Sequence, residues 1–87
     1  MSYRVEIKPA AEKALARIPN PYRRRISTAI GWLAQTPRPF GCIKIVGADD
    51  AYRIRVGDYR IVYQVVARVL FIYIVRVAHR KEVYRGL

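Results

Sequence analysis

The segment that most limits the possible folds is Ala51 to Val66, where two stretches of alternating side chains flank Gly57-Asp58. Alternation with period two belongs to strands, and glycine at the first central position of a two-residue loop suits a type II′ hairpin. The register then follows by counting: Val56 stands opposite Tyr59, Arg55 opposite Arg60, and Ile54 opposite Ile61. Successive side chains point to opposite faces of a sheet. Tyr52, Ile54, Val56, Tyr59, Ile61 and Tyr63 therefore share one face, and Arg53, Arg55 and Arg60 share the other. Like charges set directly opposite on a hairpin destabilise it. Two facing arginines point to an anion site; an exposed sheet face kept soluble by arginine is the plainer alternative.

The rest of the chain can be placed around this hairpin. Tyr3 to Ile7 alternates and reads as a short strand. Pro9 suits the first position of a helix in which Ala11, Ala14, Leu15 and Ile18 recur at helical spacing. Pro19-Asn20-Pro21 breaks that helix and opens another, with Asn20 as the expected N-cap. Tyr22, Ile26, Ala29, Ile30 and Leu33 form its apolar stripe, which ends before Pro37 and Pro39. Cys42 to Val46 and Val69 to Val77 read as further strands. The expected fold is α+β, with two N-terminal helices packed on a mostly antiparallel four-stranded sheet. At 87 residues, a single domain spanning 1–87 is expected, since two cores would not fit.

Charge narrows the partners. The chain carries a net charge of +11, with thirteen arginines against four lysines. Self-repulsion of this size calls for an acidic protein or a polyanion, and the bias to arginine favours forked contacts to phosphate. The run Arg23-Arg24-Arg25 lies early in the second helix, where the macrodipole disfavours positive charge. It is either a solvated face or a contact to phosphate or an acidic partner. The longest apolar run, Val65 to Val77, is interrupted by Arg68 and Arg76, so no bilayer span is expected. Met1-Ser2-Tyr3-Arg4 opens without an apolar signal region, which predicts a cytoplasmic protein. The single cysteine, Cys42, allows no internal disulfide and begins no metal cage by itself, so no metal or other cofactor is expected. Cys42 and Trp32 read most simply as packing residues.

Beyond the last strand come His79, Arg80, Lys81 and Tyr84. His79 is the one histidine; basic neighbours are expected to favour its neutral, proton-accepting form. Tyr84 is either a packing residue or a ring that stacks on a base.

Tyr52-Arg53-Ile54-Arg55-Val56-Gly57-Asp58-Tyr59-Arg60-Ile61-Val62-Tyr63 and His79-Arg80-Lys81-Glu82-Val83-Tyr84 resemble the RelE/ParE toxins of bacterial toxin–antitoxin pairs. Lys44-Ile45-Val46-Gly47 resembles a Lys-Leu-x-Gly segment of that family. The resemblance runs over essentially the whole chain. It implies a microbial-ribonuclease-like fold and a ribosome-dependent endoribonuclease that cleaves mRNA in the decoding site. It also implies inhibition by a cognate acidic, RelB-like antitoxin. Carried over by position, Arg53 and Arg55 match two basic residues of one strand, and Arg60 matches a phosphate-binding arginine. Arg80 matches an arginine that supports the leaving group, and Tyr84 a tyrosine that stacks on or orients the substrate. His79 falls where relatives have lysine or histidine. Lys44 and Lys81 complete the expected RNA-binding set.

Cleavage of RNA by its own 2′-hydroxyl needs a proton acceptor, positive charge on the non-bridging oxygens, and a donor to the departing 5′-oxygen. Arg53, Arg55 and Arg60 suit the second task, and Arg80 can stabilise the developing charge. The first is open, because arginine keeps its proton, so the expected base is His79, Tyr84 or a ribosomal group. Relatives that use a glutamate–histidine pair offer no parallel, since the central hairpin holds no glutamate. Two other readings compete. One is a ParE-like toxin that poisons DNA gyrase, which shares the hairpin motif; the other is a non-catalytic RNA-binding module.

Overall fold

The computed structural model describes residues 2–81, so Tyr84 lies outside the described residues. The elements in order are β1 (Arg4–Ile7), α1 (Pro9–Arg17), α2 (Asn20–Leu33), β2 (Ile43–Lys44), β3 (Ala51–Val56), β4 (Tyr59–Val66), a 3-10 turn (Ala67–Val69) and β5 (Phe71–His79). Glu12 in the first turn of α1 and Arg17 in its last both suit the helix dipole. In α2 the capping residue is Pro19, one position earlier than expected. Its backbone is extended and its carbonyl accepts the amides of Tyr22 and Arg23 at 3.1 and 3.0 Å, which leaves Asn20 as the first helical residue.

The sheet has five strands in the order β1-β5-β4-β3-β2, one more than expected. The additional pairing comes from β1, which lies parallel to β5 with the α1–α2 hairpin in the crossover. The remaining pairings are antiparallel. The expected strand from Cys42 to Val46 pairs only through Ile43 and Lys44, because left-handed backbone at Gly41 and Gly47 bends the chain on either side. Val69 belongs to the 3-10 turn, which ends on a left-handed Leu70, and β5 starts at Phe71.

Both helices pack on one face of the sheet. Ala11, Leu15 and Ile18 from the first helix and Ile26, Ile30 and Leu33 from the second cover Ile61, Tyr63 and Val65 of β4 and Ile72, Ile74 and Val77 of β5. Each fully buried aliphatic side chain contributes about 1.5–3 kcal/mol through removal from water. Among the described residues no helix covers the opposite face, as antiparallel sheets allow.

One irregularity sets the parity of β5. Val62 pairs with Arg76 while Tyr63 pairs with Ile74, so Val75 is an extra residue without a register partner. This bulge keeps both Ile74 and Val77 on the core side, although they are three residues apart.

Tyr63 anchors the loop after α2: its hydroxyl donates to the Pro37 carbonyl at 2.7 Å. Burial, and then the neighbouring Cys42 thiol, push this hydroxyl well above the ordinary tyrosine value of 10.0. The folded state therefore keeps a proton that the unfolded chain releases above about pH 10, and stability falls as pH rises from there. Tyr63→Phe should cost about 1 kcal/mol at neutral pH and flatten that alkaline fall, read by denaturant titration between pH 7 and 11. An unchanged alkaline slope would assign the fall to other groups.

Candidate functional site

The hairpin has the expected register, with Val56 opposite Tyr59, Arg55 opposite Arg60 and Ile54 opposite Ile61. Gly57 has φ +60° and Asp58 is not left-handed, as a type II′ turn requires. Tyr52, Ile54, Val56 and Tyr59 pack against the core around buried Ile61 and Tyr63. The arginines consequently lie on the outer face.

On that face the pairings form two rows. Arg55, Arg60 and Ala78 lie side by side across β3, β4 and β5. Two residues along, Ile43, Arg53, Val62 and Arg76 lie side by side across β2 to β5. The rows stand roughly 6.6 Å apart, the rise of two strand residues. Arg55 is exposed and its Nε donates to the Gly57 carbonyl at 3.0 Å. Arg60 is half-buried, with its Nε shielded from solvent. Ala78, beside Arg60, adds little bulk to this row.

Arg80 comes to the same end of the sheet. Its amide donates to the Asp58 carbonyl at 2.7 Å and its Nε lies 4.0 Å from Asp58 Oδ1. The acid of the turn thus pairs with Arg80. Arg76 was noted in the sequence only as an interruption of the apolar run, because the bulge that turns it outward has no local signature.

Other expected site residues lie elsewhere. His79 is opposite Tyr59, so its ring is on the helix side of the sheet, away from Arg53, Arg55 and Arg60. It meets the Tyr59 ring edge-on at 5.4 Å, and its Nδ1 accepts the Lys81 amide at 3.4 Å. With Arg17 and Ile18 it lines a cavity of about 350 Å³ beside α1. Lys44 pairs with Tyr52 at the sheet's edge, and it also lines a cavity with Ile43, Arg53 and Arg76, so it stays beside the arginine face. Lys81 is exposed just past the last strand.

A second surface was also unforeseen. Trp32 is 66% exposed and Phe40 fully so, which corrects the reading of Trp32 as a packing residue. Both line an apolar groove of about 430 Å³ between α2 and β3. The spacing of α2 turns Trp32 away from the stripe of Ile26, Ile30 and Leu33. Cys42 is partly buried near Tyr63, in keeping with a packing role.

The family model described as the ParE toxin of type II toxin–antitoxin systems matches residues 5–84. The chain belongs to the RelE/ParE toxin family. A RelE toxin of Methanocaldococcus jannaschii is 28% identical over 89 residues, covering 99% of each chain. RelE in the archaeal RelE–RelB complex of Pyrococcus horikoshii is 36% identical, with a TM-score of 0.82 over 92% of this chain and 97% of that one. A free E. coli RelE double mutant is 25% identical, with a TM-score of 0.80 over 98% and 93% of the two chains. This toxin thus has relatives in archaea as well as bacteria, and it shares their fold.

Proposed function

We propose that this toxin is a metal-independent, ribosome-dependent mRNA endoribonuclease that inhibits translation. The observation that carries the reading is the outer-face row in which Arg55 and Arg60 meet directly across β3 and β4, with Arg80 pinned by Asp58 at the same end. A phosphate held there is bound by forked cations that also stabilise the charge building on its oxygens. The 2′-oxygen bonds to phosphorus, the bond from phosphorus to the 5′-oxygen breaks, and the products are a 2′,3′-cyclic phosphate and a 5′-hydroxyl. Arg80 stabilises the charge on the departing 5′-oxygen, which takes its proton from water. Because His79 faces the helices, the base that takes the 2′-hydroxyl proton is assigned to Tyr84 or to a ribosomal group. His79→Ala should then change single-turnover cleavage by less than about tenfold, against the 10²–10⁴-fold typical of a lost general base. A larger loss at unchanged RNA affinity would return the base role to His79.

The match to a ParE family model favours one competing reading, inhibition of DNA gyrase without RNA cleavage. Induction in cells separates the two. Codon-phased 5′ ends on cellular mRNA with normal plasmid supercoiling support the nuclease; altered supercoiling with intact mRNA overturns it.

The inhibitory partner is an acidic, RelB-like antitoxin. The RelE relatives of Pyrococcus horikoshii and Methanocaldococcus jannaschii were crystallised with RelB, and a charge of +11 complements an acidic chain. The Trp32–Phe40 groove borders Ile54 to Val56, where β3 extends beyond its pairing with β2. An apolar segment of the antitoxin can fill the groove and add backbone bonds along that edge. Trp32→Ala should weaken the complex by at least about thirtyfold in a titration with the cognate antitoxin. Unchanged affinity would place the antitoxin elsewhere.

A further inference from the structure

On the outer face, one row away from Arg55 and Arg60, lies a cavity of about 360 Å³ lined by Ile43, Val46, Arg53, Val62, Val75 and Arg76. Its surface is almost wholly apolar, its charged lining residues are Lys44, Arg53 and Arg76, and no acidic residue lines it. The exposed valine of the bulge, Val75, forms one wall, and Ile43, which is half-exposed, forms another. Aliphatic walls accept the flat face of an aromatic ring, while planar cations stack on a ring or donate to its edge oxygens and nitrogens. Arg53 and Arg76 stand on either side of Val62 in a single row across the sheet. That row is roughly 6.6 Å from the row that faces the phosphate, a step that one nucleotide of extended single strand covers.

We infer that this cavity is a nucleobase subsite, taking the base of the nucleotide next to the phosphate held at Arg55 and Arg60. The inference rests on the proposed RNA-cleaving function and adds to it a residue, Arg76, and an apolar floor that selects a base-bearing strand over a bare polyanion. An apolar side chain of a protein partner also fits aliphatic walls. The two arginines and the adjacency of their row to that of Arg55 and Arg60 favour RNA.

The test uses the toxin with labelled Ile and Val methyl groups and labelled arginine Nε groups, observed by NMR. The probe is a ribotrinucleotide whose 2′-hydroxyls are methylated to block cleavage, together with three versions lacking one base each. The expected result is a saturable shift of the Ile43, Val62 and Val75 methyls that one of the abasic versions abolishes, with about a tenfold loss of affinity. Val75→Asp, an exposed position, should bind the intact and abasic strands equally while still shifting Arg60. Movement of Arg55 and Arg60 signals without any response in the cavity methyls overturns the base subsite and leaves the RNA reading standing. No response at either place means that the toxin by itself holds no RNA on this face and overturns the subsite. Methyl shifts that the cognate antitoxin produces and RNA does not would assign the cavity to the protein partner and overturn the subsite.

Discussion

Arg60→Ala is expected to lower ribosome-dependent mRNA cleavage by about 10²–10³-fold, the usual loss when one preorganised donor to a developing oxyanion is removed. The same change should leave the thermal midpoint unaltered or slightly higher. Arg60 faces Arg55 directly across the hairpin, and relief of such a like-charge pair returns about 0.2–1 kcal/mol. A large loss of activity with little change in stability is the signature of a residue kept for its ligand. Arg60→Lys retains charge but loses the fork, and should recover only part of the rate. Single-turnover cleavage on programmed ribosomes and a denaturant melt of each variant provide the two readouts. A fall in stability that matches the fall in activity would make Arg60 a structural residue and remove it from the site.

Ile61→Ala probes the other face of the same strand. Ile61 is fully buried beneath both helices, and truncating such a residue costs about 2–5 kcal/mol. Against a total of about 5–15 kcal/mol for a domain of this kind, the variant should melt at least roughly 8 °C below the parent. Val75→Ala, exposed at the bulge, should shift stability by less than about 0.5 kcal/mol. These residues lie on β4 and on its neighbour β5, yet their expected costs differ severalfold because only one supports the helices. Equal effects of the two variants would mean that the core does not sit where the sheet and helices place it.

Much of this was legible in the chain. The turn chemistry of Gly57-Asp58 fixed the hairpin register, and from that register the separation of Tyr52, Ile54, Ile61 and Tyr63 from Arg53, Arg55 and Arg60 followed by parity alone. The helices were readable for a similar reason, since Ile26, Ile30 and Leu33 repeat with the helical period. Local periodicity reports which residues share a face of one element. It does not report how a distant strand is set against that element, nor what surrounds an apolar residue that falls off the stripe, and Trp32 was misread on that account.

The hairpin and its facing arginines were thus determined by sequence, because a two-residue turn leaves its flanking strands a single register. What only the tertiary structure decided was which residues of β5 join them. An apolar run gives no sign of where an extra residue will be extruded. The bulge at Val75 forms because Ile72, Ile74 and Val77 must all reach the same core, and that requirement exists only once the helices are packed on the sheet. Its parity change turns Arg76 outward to the arginine face and sends His79 inward against Tyr59.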